Sequence, residues 1–321
     1  MKLKISLLIA ATAFAVAQPA LAEDLLVTQY KNDPSGAPYG IALEKGFFKK
    51  AGIDITGIIN GAGGGSSVRS AMATDLGYGD VSPAPAIAAI DQGQDIKITN
   101  LTSQSIADLV LIVMPNSPLK SPQDLKGKKF GISNPKSLGE MMGVLIMDKY
   151  GLKKGDVQMT PLGSLSGAIT ALENGAVDTT SIPVVLFRMR GGTSKYRVLL
   201  DAKDLPPMPS QLGMATGKAL KENHAKLVAL QAARREGTKF IYEHTDEAIQ
   251  ILTKVYEPLP PAEVASMVKE LVAVKYWTEG RIDKKLMDTT MHAMKSVGML
   301  DKDVPLDKLV DTSTLPADLQ K

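Results

Sequence analysis

Pro38-Tyr39-Gly40-Ile41-Ala42-Leu43-Glu44-Lys45-Gly46-Phe47-Phe48, running on to Ala51-Gly52-Ile53-Asp54-Ile55, is the stretch that decides the fold class. Tyr39, Ala42, Leu43, Gly46 and Phe47 recur at helical spacing and give one apolar face over 38–50. Gly52 falls where a helix commonly ends in the left-handed conformation. Ile53 and Ile55 then alternate with Asp54 and Thr56, the period of a strand. Upstream, Leu25 to Tyr30 reads as another strand, joined to the helix by the turn-rich Asn32-Asp33-Pro34-Ser35-Gly36. Strand and helix signals go on alternating to Asp201. The expected class is α/β, with parallel or mixed sheets wrapped by helices.

Farther out, two places look like crossings between lobes. Leu109 to Met114 is an unbroken apolar run, the mark of a strand buried on both faces. Leu205-Pro206-Pro207-Met208-Pro209 is a stiff proline-rich link. The expected division is a first lobe built from 23–115 and 206–321, with a helical C-terminal part, and a second lobe, 116–205, inserted into it. Ser121-Pro122-Gln123-Asp124 opens a helix, with a Ser cap, Pro in the first turn and an acid three residues on. Later helices are expected at Asn223–His244, Asp246–Tyr256, Ala262–Val272 and Lys284–Val297. An internal echo at an offset of 98 residues pairs Gly65, Ser66, Ala73, Gly77, Asp80 and Pro85 with Gly163, Ser164, Ala171, Gly175, Asp178 and Pro183. It points to equivalent units in two similar lobes.

The first 22 residues give an address. Lys2, Lys4, the apolar Ile5 to Val16 and the small-x-small Ala20-Leu21-Ala22 make a secretory signal peptide over 1–22. Its apolar stretch is shorter than the ~20 residues that span a bilayer. The expected location is the periplasm. The sequence holds no Cys, so no lipid-bearing thiol follows the apolar run and no disulfide supports the fold. Without Lys2 and Lys4, 35 of the 37 basic residues remain against 34 acidic ones, a net charge of +1. Neither a nucleic-acid footprint nor a polybasic membrane patch fits that balance.

The stretch from Pro38 to Ile55 resembles a signature of the nitrate, sulfonate, taurine and thiamine-precursor binding proteins of ABC importers, the NMT1-like family. Ser121 to Ser133, with Asp124-Leu125-Lys126-Gly127-Lys128-Lys129, resembles the start of that family's second lobe. Ala168 to Pro183, with Ala171-Leu172-Glu173-Asn174-Gly175 and Asp178, resembles its second ligand-facing loop. The resemblance runs from about Leu25 to about Met214. It implies a type II periplasmic binding fold, two α/β lobes with a ligand cleft between them and a two-crossing hinge. It also implies a monomer that delivers a small ligand to an ABC permease and its ATPase, with no cofactor and no metal.

Ligands of open α/β sheets sit beyond the carboxyl ends of strands, where loops feed helices. Gly61 to Ser67 is therefore the first candidate: its glycines admit a ligand to the backbone, and the helix start offers free N–H groups and a positive dipole end. Gly64, Gly65, Ser66 and Ser67 are expected to hold an anionic head group such as a sulfonate, nitrate or carboxylate. Gln29, Tyr30 and Tyr39 flank the first strand-to-helix loop. Ser82, Pro83 and Ala84 follow the short strand ending near Asp80. Ser137, Leu138 and Gly139 open a helix after Phe130–Ser133, and Ser181, Ile182 and Pro183 mirror Ser82 to Pro85. Asp80 and Asp178 fit turn or hinge acids better than ligand contacts, and Arg69 and Lys136 fit solvated charges.

Catalysis has little support in the sequence. His224, His244 and His292 share no metal-ligand spacing. Gly163-Ser164-Leu165-Ser166-Gly167 has Leu165 where a nucleophile elbow needs its nucleophile. Met287, Met291 and Met294 have the spacing of a helix core. Within the resemblance, thiamine-pyrimidine synthases rely on cysteines, and this chain departs from that pattern. The competing readings are such an enzyme on the same fold and a periplasmic sensory protein that presents ligand to a receptor.

Overall fold

The computed structural model describes residues 23–135 and 137–320. The expected signal peptide at 1–22 and Lys136 lie outside them. In chain order the strands are β1 (Glu23–Thr28), β2 (Ile55–Gly61), β3 (Tyr78–Val81), β4 (Ile96–Leu101), β5 (Leu109–Val113), β6 (Lys129–Ile132), β7 (Gln158–Pro161), β8 (Thr179–Pro183), β9 (Arg197–Asp201) and β10 (Leu212–Thr216). The helices are α1 (Ala37–Glu44), α2 (Phe47–Ala51), α3 (Gly64–Met72), α4 (Pro83–Asp91), α5 (Leu138–Tyr150), α6 (Leu165–Glu173) and α7 (Val184–Met189). The helical C-terminal part follows as α8 (Gly217–Glu222), α9 (His224–Glu243), α10 (Thr245–Val255), α11 (Pro261–Ala273), α12 (Lys284–Ser296) and α13 (Leu306–Leu309).

Two five-stranded sheets result, in the orders β2-β1-β3-β10-β4 and β7-β6-β8-β5-β9. In each, the first three strands are parallel and the fourth, β10 or β5, runs antiparallel to both neighbours. The chain passes to the second sheet between β4 and β5 and returns between β9 and β10. The two passages are bonded to each other: the Ser210 N–H donates to Ser103 Oγ at 2.8 Å, and the Thr102 N–H to the Gln211 carbonyl at 3.3 Å.

The expected boundary at 115/116 is thereby corrected. Leu109 to Val113 is buried on both faces, as its apolar run requires, but it pairs with β8 and β9 in the second sheet. The first passage is the polar 102–108 before it. The helix expected over 38–50 is also two helices, because Gly46 takes a left-handed conformation (φ 67°) between α1 and α2. The next strand begins at Ile55 and runs through Gly61, so less of the glycine stretch is loop than its composition suggests.

The internal echo has a structural counterpart, with another period. Gly64 and Leu165 open helices, Tyr78 and Thr179 open strands, and Pro83 and Val184 open the next helices, each pair 101 residues apart. The glycines matched at 98 residues are punctuation that falls out of register with the elements. The C-terminal helices pack against both sheets' layers. Met287, Met291 and Met294 of α12 share a core with Met141 and Met142 of α5, and His292 Nε2 lies 2.8 Å from Asp148 Oδ2. On the other flank, Arg188 of α7 pairs with Glu263 at 2.6 Å and Glu270 at 2.9 Å on α11.

Candidate functional site

The strand-to-helix turns of both sheets open onto one cavity of about 1170 Å³. Four helices of nine residues or more begin at its wall: α3 at Gly64, α4 at Pro83, α5 at Leu138 and α6 at Leu165. α3, α5 and α6 leave first-turn N–H groups with no helical acceptor; α4, with Pro83 and Pro85 in its first turn, offers there only the N–H groups of Ala84 and Ala86, and each sets its positive end at the wall.

The local sequence explains each opening. Gly63 (φ 101°) and Gly64 (φ 57°) hold conformations closed to most side chains, which turns β2 into α3 with the backbone bare to the cavity. Among the described residues no side chain caps α3. Ser66 Oγ instead donates to the Gly63 carbonyl at 2.6 Å, and Ser67 Oγ accepts from the Gly63 N–H at 2.9 Å. In the second sheet, Ser137 caps α5 through the Glu140 N–H, and Ser164 caps α6 through the Gly167 N–H at 2.9 Å.

Of the residues expected at the site, Gln29, Gly64, Gly65, Ser66, Ser82, Ala84, Ser137, Leu138, Gly139, Ser181 and Pro183 line the cavity. Five others stand elsewhere. Tyr30 and Tyr39 are buried in the core beneath α1, where the Tyr39 hydroxyl lies 2.8 Å from that of Tyr78. Ser67 is buried beneath the glycine turn, Pro83 is buried beside the cavity, and Ile182 packs in the core of the second sheet. Tyr39, Ser67 and Pro83 sit on the inner faces of α1, α3 and α4, and Tyr30 in the turn after β1; only Ile182 is displaced by strand alternation, being one position out of phase with the cavity-lining Ser181 and Pro183 of β8. Arg69 does line the rim, and a Cβ on Gly65 would meet its Nη1 at 3.3 Å.

Asp33 and Gln211 carry no site signal in the sequence, and both line the cavity. Asp33 is 4% exposed; its Oδ1 accepts from the Ser35 N–H at 2.8 Å and its Oδ2 from Gln211 Nε2 at 3.4 Å. Burial raises its pKa, and the hydrogen bonds from Ser35 and Gln211 work against that rise. In the sequence Asp33 is one acid in a turn and Gln211 one amide after a proline link. They meet only because the second passage between sheets crosses the loop after β1, and no local signal carries that.

Beneath the first sheet lies a separate buried polar group. Tyr78 donates to Asn100 Oδ1 at 3.0 Å, and Gln231 Nε2 to the same oxygen at 2.6 Å. Asp80 and Arg234 are fully buried nearby. Burial lifts the Asp80 carboxyl to about 7 against the pull of the Arg234 charge. Asp178, by contrast, is a turn acid that accepts from the Lys129 N–H at 2.8 Å.

Two sheets of this order around one cleft, crossed twice by the chain, define the periplasmic binding protein fold, and the comparisons agree. Residues 33–248 match the family model described as NMT1/THI5 like, and the chain belongs to that family. It is similar to the riboflavin-binding protein RibY of Chloroflexus aurantiacus, with 24% identity over 94% of this chain and 88% of that one. A putative aliphatic sulfonates-binding protein of Escherichia coli is 29% identical over 60% of this chain and 58% of its own length. The crystal structure of the periplasmic aliphatic sulphonate binding protein SsuA from Escherichia coli superposes with a TM-score of 0.71 at 20% identity, covering 90% of this chain and 97% of that one.

Proposed function

We propose that this protein is the solute-binding component of an ABC import system, which captures a small polar or anionic organic molecule between its sheets and delivers it to a membrane permease. The observation that carries the reading is the convergence of four helix N-termini from both sheets on one cavity. Donors held in place on two bodies can close on one acceptor group, and closure about a hinge is a signal that a permease can read. The sulfonate-binding relative and neighbour support an anionic head group. Against a flat flavin like that named for the other relative, no Phe, Tyr or Trp stands among the described lining residues. Residues 1–22 are the export signal, cleaved after Ala22, and the address is the periplasm. A binding role rather than catalysis is favoured by a wall of Ser, Gly, Asn and Gln without a nucleophile–base pair among its described residues.

A thermal-shift screen of sulfonates, nitrate, carboxylates and pyrimidines tests this reading, with Gly65→Val alongside the parent. In the structure a Cβ at Gly65 meets only the tip of the Arg69 side chain, at 3.3 Å, which can swing aside, and a valine there stands in the ligand's path to the N–H groups. The best solute should bind the variant at least about tenfold more weakly, ~1.4 kcal/mol, with the unliganded melting temperature nearly unchanged. Equal affinity would remove the glycine turn from the site.

A further inference from the structure

The half of the molecule built on the second sheet touches the C-terminal helices at two flanks, and the two contacts are chemically unlike. On one flank α7 enters the core of those helices, where Val184 and Val185 are buried with Val264, Met267 and Val268 of α11. Arg188, a turn farther on, grips α11 with both arms of its fork. Nη1 donates to Glu263 Oε2 at 2.6 Å, and Nη2 to both carboxylate oxygens of Glu270 at 2.9 Å. Ser266 Oγ donates to Glu270 Oε1 at 2.7 Å and keeps that carboxylate turned toward α7. The Arg188 side chain is only 12% exposed. A planar guanidinium bound at both arms fixes direction as well as distance.

The same flank is bonded to both passages between the sheets. Just beyond α11, the Tyr276 carbonyl accepts from the Gln104 N–H of the first passage at 3.0 Å. The Tyr276 hydroxyl lies 2.6 Å from Ser210 Oγ of the second. From the other side, the Val184 N–H donates to the Asp108 carbonyl at 2.7 Å, which ties the start of α7 to the first passage. Helices α7 and α11 and the two passages therefore make one bonded unit. On the opposite flank α5 meets α12 through methionines: Met141 and Met142 share a core with Met287, Met291 and Met294. Thioether side chains are unbranched and repack easily. The polar tie there, His292 Nε2 to Asp148 Oδ2 at 2.8 Å, joins two half-exposed side chains, and such pairs hold weakly.

We propose that the second half turns about the α7–α11 contact, with Arg188 as the positioning residue that holds the axis, while α5 slides over the methionines of α12. A directional, two-armed ion pair resists sliding, whereas a methionine interface permits the small shifts of packed helices by which shear motion proceeds. The cleft is then asymmetric in its movement. Pro183 and Leu186, at the fixed flank, line the cavity close to the axis, and Leu138 and Met141, at the start of α5, line it where the wall travels. The inference deepens the solute-binding reading by naming the still and the moving flank of the cleft, and the identity of the solute does not enter it.

Distances between paired spin labels in the unliganded protein test it. The chain has no Cys, so introduced cysteines alone carry label. Thr193→Cys with Gln250→Cys spans the Arg188 flank, and Lys153→Cys with Asp307→Cys spans the methionine flank; all four positions are exposed. Gln250 and Asp307 stand on α10 and α13, which pack on α1 and α4 of the first half. By pulsed electron resonance the distance distribution across the methionine flank should be at least about twice as wide as that across the Arg188 flank. Arg188→Met keeps an apolar stem and should widen the Arg188 flank until the two match. Glu263→Ala with Glu270→Ala, which removes the grip from its other side, should do the same, and His292→Ala should leave that flank unchanged. Equal widths in the parent overturn the proposal, as does a wider distribution at the Arg188 flank. So does an Arg188 flank that either the Arg188 or the glutamate substitutions leave narrow, since apolar packing would then be what holds α7. Should Arg188→Met fail to fold, the glutamate variant decides, because both glutamates are about half exposed. With no solute present, failure here leaves the solute-binding reading standing, and a solute screen without a binder would leave these widths as they are.

Discussion

The two sheets are built to one plan and differ where it matters for the cleft. The period of 101 residues carries Gly63 onto Ser164, Ser66 onto Gly167 and Asp80 onto Ser181. At the first pair, the helix start in one sheet is an uncapped glycine turn and in the other a Ser-capped turn. A cap satisfies a first-turn N–H from within; without one, that donor is left for a ligand. At the third pair, the first sheet buries an acid under α1 while the second sets a small hydroxyl at the cavity, where a Cβ on Gly139 would meet Ser181 Oγ at 2.8 Å. The first sheet gives up local stability to expose donors and hold charge. The second is the self-satisfied half.

Asp80 offers the widest separation between the halves. Its carboxyl, near 3.8 in the unfolded chain, is lifted to about 7 in the fold, chiefly by burial. Between these values folding takes up a proton, so its contribution to stability declines as pH rises from about 4 and levels off above 7. The full difference is worth up to ~4 kcal/mol. Asp80→Asn stays neutral throughout and should lose that part of the pH dependence. Denaturant titrations at pH 5 and pH 8 should therefore show the variant gaining on the parent as pH rises. A stability difference that is the same at both pH values would mean that Asp80 is ionised in the fold across this range. Ser181→Ala, at the matching place, should show no such trend.

A second test exchanges the helix starts. A Cβ on Gly167 would stand 2.5 Å from the Leu162 carbonyl oxygen, a backbone atom that cannot swing away. Ser66 carries a Cβ at the corresponding place in α3 without such a neighbour. Gly167→Ser should accordingly cost ~1–3 kcal/mol by overpacking, read as a lower denaturant midpoint at unchanged slope. The reciprocal Ser66→Gly should cost less, ~0.5–1 kcal/mol, from helix propensity alone. Equal losses would show that the Leu162 carbonyl does not set position 167 apart from position 66.

These contrasts also show how far the sequence could be read. Alternating strand and helix signals, the cap at Gly52 and the four late helices follow from local chemistry and appear within a residue or two of where they are expected, whereas the helix expected from Ser121 is a single 3-10 turn, Pro122–Leu125, capped at Ser121. The glycine turn and the serines at Ser82, Ser137 and Ser181 reach the cavity because strand-to-helix turns gather at one end of a parallel sheet. Tyr39 does not, because it lies on the inner face of α1, and Ile182 does not, because the side a strand residue faces reverses at each position. Leu109 to Val113 was recognisable as a buried strand, but its apolar run is the same whichever sheet it joins. Asp33 and Gln211 lie 178 residues apart and meet through topology alone.

The smallest expected effects bear most directly on the difference between the walls. Ser164 Oγ accepts from the Gly167 N–H, so Ser164→Ala removes a cap and should lower unliganded stability by ~1 kcal/mol. Its effect on affinity should be slight, because the freed N–H adds a donor as the cap is lost. Ser66 Oγ makes no cap. It donates to the Gly63 carbonyl at the cavity wall and keeps its lone pairs free. Ser66→Ala should leave the denaturant midpoint almost unmoved and weaken the best solute of the screen by ~0.5–1.5 kcal/mol, for one lost hydrogen bond. Calorimetry for affinity and denaturant titration for stability separate the pair: one serine shifts the midpoint, the other the binding constant. If Ser66→Ala moves the midpoint and Ser164→Ala the affinity, the donors that matter are on the second sheet, and the glycine turn is only a turn.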